Sequence, residues 1–104
     1  MYKYYMKVES YEHMLSPLEL AKLYKIKTLT DKPHARLVAR LLSDYIDSNK
    51  IPRMYYHTAK GDMFFVCPSY IYKPILDKFV EEHEHNTELT IEFPNKNHYC
   101  VIGE

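Results

Sequence analysis

Residues 16–67 read SPLELAKLYKIKTLTDKPHARLVARLLSDYIDSNKIPRMYYHTAKGDMFFVC. Their order is helix, helix, strand, tight turn, strand. Ser16-Pro17-Leu18-Glu19 opens the first helix: Ser16 caps, Pro17 takes the first helical position and Glu19 closes a capping box. Leu15 and Leu20 form a hydrophobic staple across this start, and Leu20, Leu23 and Tyr24 carry an apolar stripe to Lys25. The polar, β-branched residues 26–30 end the helix. A second helix is expected from Thr30 or Asp31, either of which can cap, with Pro33 in its first turn and Ser48 at its end. Leu37, Val38, Leu41, Leu42, Tyr45 and Ile46 recur at the three- and four-residue spacing of one buried face. Lys32, Arg36, Arg40 and Ser43 fall on the opposite face, the two arginines one turn apart.

Ile51-Pro52 breaks that helix. Residues 53–58 then alternate as a strand, Gly61 supplies the positive φ a tight turn requires, and residues 63–67 return as a nearly continuous apolar strand. Arg53, His57 and Lys60 place positive charge along this hairpin and at its tip. Downstream, a third helix is expected from about Ile71–Pro74 to His85, with Pro74 in its first turn. Ile71, Ile75, Leu76, Phe79 and Val80 form its core stripe, and Asp77, Glu81, Glu82 and Glu84 make its outer face acidic. Residues 88–93 and 98–102 alternate on either side of Pro94-Asn95-Lys96-Asn97 and read as a second hairpin. Upstream, residues 2–9 alternate as a half-buried strand, with Tyr2, Tyr4, Met6 and Val8 on one face and Lys3, Tyr5, Lys7 and Glu9 on the other. That strand has no neighbour in sequence to pair with, and the terminal hairpin is one candidate.

The expectation is an α+β fold of order β-α-α-β-β-α-β-β in one domain over residues 1–104, a length that buries roughly two-thirds of the unfolded surface. Apolar residues at 46% and charged residues at 27% exclude wholesale disorder. Eleven tyrosines with no Trp suit interfaces, or record the composition of an AT-rich genome. No apolar run approaches the ~20 residues of a membrane span, and MYKYYMKVESYEH is too polar for a secretory segment, so a soluble, cytoplasmic protein with no membrane partner is expected. Cys67 and Cys100 lie in strand-like stretches and read as buried small hydrophobes rather than a disulfide.

Net charge is zero but unevenly spread. Residues 1–60 hold eleven Lys and Arg against six Asp and Glu, and the remainder holds three against eight. A nucleic-acid face with an acidic back produces such a split, and so does a dimer of complementary surfaces. No metal or cofactor is implied: His83 and His85 diverge by ~200° on a helix, and His98 with Cys100 supplies only two ligands. No catalytic motif stands out, so a binding protein rather than an enzyme is expected.

LELAKLYKI resembles the first helix of the winged helix-turn-helix superfamily, HARLVARLLSDYIDSNKIP the second and RMYYHTAKGDMFFV a wing. The chain is also similar to phage and plasmid excisionase-type regulators, in which a helix ending in Ile-Pro leads into a wing and another helix. The likeness spans about half the chain. It departs in the length of residues 16–52 and in the strand that stands where a preceding helix is usual. The resemblance implies a small regulator of transcription or recombination, of mobile-element type, that binds double-stranded DNA as a homodimer. Arg36 and Arg40 would read bases or phosphates, Lys32 and Ser43 would position the helix, and Arg53, His57 and Lys60 would hold the backbone. Two alternatives stand beside it. The element order also fits a ferredoxin-like split βαβ domain, and the acidic Tyr-rich surface suits a viral or plasmid inhibitor or adaptor that binds a host protein.

Overall fold

The structure is a computed structural model that describes residues 5–8 and 13–104. Ten elements follow in chain order: β1 (Tyr5–Val8), β2 (Met14–Leu15), α1 (Pro17–Leu23), β3 (Ile26–Lys27), α2 (Ala35–Ser48), β4 (Arg53–His57), β5 (Met63–Pro68), α3 (Ser69–Glu82), β6 (Glu88–Phe93) and β7 (Lys96–Ile102). The strands divide into two sheets, a four-stranded one of order β1-β4-β5-β2 and a three-stranded one of order β3-β7-β6. The fold is mixed α+β, and its strands do not form the single sheet of a split βαβ domain.

The cap chemistry of α1 is as its residues require. Ser16 Oγ accepts from the Glu19 amide at 3.3 Å, and the Ser16 amide donates to Glu19 Oε1 at 3.0 Å. Lys25 adopts a positive φ just past the helix, which turns the chain into β3. There the expected start of α2 fails. Thr30, Asp31, Lys32 and Pro33 lie outside the helix, and His34 is the cap, its Nδ1 accepting from the Leu37 amide at 3.2 Å. The reason is local competition. Thr28 bonds the backbone amides of Thr30 and Lys32 through its hydroxyl, and Asp31 sits at positive φ, so residues 28–32 form a turn that a helix cannot include. Lys32 therefore stands in this turn and not on the helix.

At its far end α2 stops in a Schellman motif, with the Ile51 amide donating to the Ile46 carbonyl, the Lys50 amide to the Asp47 carbonyl, and Lys50 at positive φ. Its buried residues are Leu37, Val38, Leu42 and Ile46. Tyr45, expected inside, is 41% exposed, because it lies ~100° around the helix from Ile46 at the edge of the stripe. The helix α3 starts earlier than expected, at Ser69, so Pro74 is inside it rather than in its first turn. Its buried residues are Ile71, Tyr72, Leu76 and Phe79, with Ile75 and Val80 half-buried.

Gly61 has φ +90° at the β4–β5 turn, as the tight hairpin needs. The strand β1 pairs in parallel with β4, Met6 opposite Met54, and not with the terminal hairpin. Met6 is 46% exposed, so the inward face expected of it is not realised at this sheet edge. Residues 2–4 and 9 of that expected strand lie outside the described residues. The two-residue strands β2 and β3 were not expected at all; they pair antiparallel with β5 and β7. One buried cluster joins both sheets to the helices: Leu20 and Ala21 of α1, Ile26 of β3, the α2 and α3 stripes, Cys67 of β5, and Cys100 and Ile102 of β7. Both cysteines are free and buried, and burial pushes their thiols up to about 12 and about 11. No helix among the described residues is long and apolar enough to cross a membrane.

Candidate functional site

The turn at residues 28–32 and the start of α2 face the end of the β6–β7 hairpin. Between them lies a cleft of about 360 Å³ lined by Thr28, Thr30, His34, Arg36, Lys96 and His98 among others. Each element places its side chain for a reason already visible. The Thr28 turn holds the two threonine hydroxyls 3.0 Å apart. The cap of α2 fixes His34, and Arg36 follows on the exposed side of the first turn. Strand alternation turns His98, Cys100 and Ile102 inward, while Lys96 stands exposed at the tight β6–β7 turn.

His98 is 8% exposed, the one buried polar or charged side chain among the described residues. Its ring meets those of His34 and Phe93, each with centroids 5.5 Å away and in edge-to-face orientation. Arg40 lies over Phe93 at 4.5 Å from the ring centroid and donates from Nε to Asp44 at 3.0 Å. Burial lowers the pKa of His98, and the charges of Lys96, Arg40 and Arg36 lower it further. Burial and the neighbouring His98 also hold His34 below the usual histidine range, against an opposing backbone hydrogen bond to Tyr99. Burial is the larger cause for both rings, and nearby positive charge adds to it.

The other expected contacts divide. Arg53 donates to Ser43 Oγ at 2.8 Å and to both Asp47 oxygens at 3.1 and 3.0 Å, with its guanidinium 5.8 Å from the Phe65 ring centroid. Arg53 and Ser43 therefore tie β4 to α2. The His57 Nε2 is buried without a hydrogen-bond partner among the described residues. Lys60 is exposed at the β4–β5 turn and Lys32 in the 28–32 turn. Of the seven residues singled out, Arg36 lines the cleft, Arg40 packs beside it and Lys32 stands in the turn that forms one wall.

Among the cleft residues, the basic and imidazole side chains of His34, Lys96 and His98 were not singled out as site residues by the sequence reading. The signal for His98 was a polar residue at an inward position of an alternating strand. Lys96 was visible only as part of a turn. On its other side Arg36 lines a second, apolar groove of about 440 Å³ with Leu18, Met63 and Phe64, so the start of α2 lies between the two hairpins. No protein-family model, curated protein or solved structure matches the chain.

Proposed function

We propose that this chain is a small DNA-binding regulator of the mobile-element type, and that it meets the phosphate backbone with Lys32, Arg36 and Lys96. The observation that carries the reading is the convergence of Arg36 and Lys96, from elements sixty residues apart, on one cleft, where their charges add to the field at His98. Backbone phosphates are the ligands that such fields attract without demanding a catalytic group. On a winged helix-turn-helix reading, the hairpin beside the basic start of α2 is β6–β7 as well as β4–β5, and the turn carrying Lys96 is the better candidate for a wing. The α3 outer face bears exposed Asp77, Glu81 and Glu82 and would point away from the duplex. A homodimer would present two such faces to half-sites about one DNA turn apart.

The test is a mobility shift with a generic duplex at ~50 mM salt, where non-specific binding is strengthened. Wild type should shift the duplex at micromolar protein, and Arg36→Ala with Lys96→Ala should weaken the shift at least tenfold. A wild-type protein that shifts no duplex refutes the proposal. A second reading, an adaptor for a basic host protein, is favoured by Tyr70, which is 70% exposed on the same helix as exposed Glu81 and Glu82. Its signature would be a stoichiometric protein partner that survives nuclease treatment and is lost on charge reversal at Glu81 and Glu82.

A further inference from the structure

His98 is more than nine-tenths buried, lines the cleft, and has no hydrogen-bond partner for either ring nitrogen among the described residues. The ring is not sealed from the cleft, since the buried nitrogens left without a partner among the described residues are His57 Nε2 and His85 Nδ1. Its neighbours explain why none is supplied from inside. His34 spends Nδ1 on capping α2, Phe93 is apolar, and the ladder partner of His98 across β6 is Ile91. What remains around it is cationic: Arg36 and Lys96 at the cleft, and Arg40 behind Phe93.

We propose that the cleft between residues 28–36 and 96–99 is a pocket for a single phosphate group, with His98 donating from the floor and Arg36 and Lys96 closing on it from the rim. This deepens the DNA-binding reading by naming where one phosphate is gripped. The same chemistry also fits a free phosphate ion. The Thr28 and Thr30 hydroxyls already bond each other and add a donor on the opposite wall. A guanidinium, an ammonium and an imidazolium meeting from different elements match the several oxygens of a tetrahedral anion.

Proton uptake follows from the same arrangement. The groups facing His98 are His34 at the α2 cap, Arg36 and Arg40 on α2, and Lys96 at the turn; the Asp44 carboxylate on α2 is engaged by Arg40. Glu88 and Glu92 are on the exposed face of β6, opposite to the half-buried face that carries Phe93. Without a bound anion, burial and then the cations oppose protonation of His98. A bound dianion or diester reverses the sign of the local field, and imidazolium becomes the favoured form. Binding therefore takes up a proton and strengthens as pH falls.

The measurement is the ring ¹⁵N and ¹H resonances of the full chain, titrated separately with inorganic phosphate and with a 16-base-pair duplex between pH 7.5 and 5.5 at constant salt. We expect the His98 ring resonances to move on saturation, its titration midpoint to rise by about one unit, and affinity to tighten about tenfold across that range. His98→Gln should abolish the pH dependence of duplex binding, since a phosphodiester does not itself titrate in this range. Should that variant fail to fold, Arg36→Gln in the presence of His98 should keep the pH dependence while weakening the affinity. Duplex that binds and moves His98 supports the pocket and assigns it to nucleic acid. Millimolar phosphate that moves His98 where duplex does not bind supports the pocket, assigns it to the free ion and overturns the DNA-binding reading. Duplex that binds without moving His98 overturns the pocket and leaves DNA binding standing. Neither ligand moving His98 overturns the pocket as well.

Discussion

Among the described residues the Arg53 guanidinium makes three hydrogen bonds, whereas the Arg36 side chain makes no hydrogen bond or ion pair. Both carry the same side chain, so this difference in partners decides what each is available to do. Arg53 and Asp47 are three-quarters and two-thirds buried respectively, and removing the arginine leaves the Asp47 carboxylate and Ser43 without their partner. Arg53→Ala should lower stability by about 1.5–3 kcal/mol, the range for a hydrogen bond to a charged group. Arg36→Ala should change it by less than about 0.5 kcal/mol, as for an exposed side chain. Urea denaturation of the two variants makes the comparison. The histidines add a pH dependence with a definite sign. His34 and His98 have folded pKa values below the unfolded one, so the unfolded chain binds more protons in mildly acidic solution. Stability is full above the ordinary histidine pKa of about 6.5 and falls as pH drops through and below it. Denaturation midpoints at pH 7.5 and 5.5 should show the loss, and His98→Phe should reduce it.

Elements show how much was legible from residues alone. Both long helices, the short capped one and both hairpins follow from signals of two to four residues acting on their neighbours: the Ser16 box, the Gly61 turn, the apolar stripes. Ser16→Ala should cost about 1 kcal/mol, readable as a lower denaturation midpoint, since it leaves the Glu19 amide uncapped. The start of α2 was misread because Thr30 and Asp31 are good caps in isolation, and Thr28 claims the same backbone amides first. Two strands of two residues each, β2 and β3, carry no periodicity to detect. Their pairing is decided by partners about fifty and about seventy-five residues away, and the parallel pairing of β1 with β4 by partners about fifty away. The cleft was hidden for the same reason. Its cations come from α2 and the first residue of β7, and the packing of β3 against β7 and of His34 against His98 brings those segments together.

At the scale of the molecule, the charge asymmetry and the topology bear on assembly and binding together. The strand β7 lies between β3 and β6, with β3 covering its far edge at Val101 and Ile102, while β1 and β2 are the outermost strands of one sheet and β3 and β6 of the other. A homodimer built on strand pairing would use one of the longer outermost strands, β1 or β6. Sedimentation at micromolar concentration should give a species near twice 12.5 kDa if it does, and a 12.5 kDa species otherwise. The central claim is that Lys32, Arg36 and Lys96 neutralise backbone phosphates. It is tested most directly by the slope of log affinity against log salt for a duplex, because each phosphate contact contributes its own increment by releasing counterions. Replacing all three residues by alanine should flatten the slope by about 2.7 units, at about 0.9 per contact. An unchanged slope in a triple variant that still folds would contradict the account.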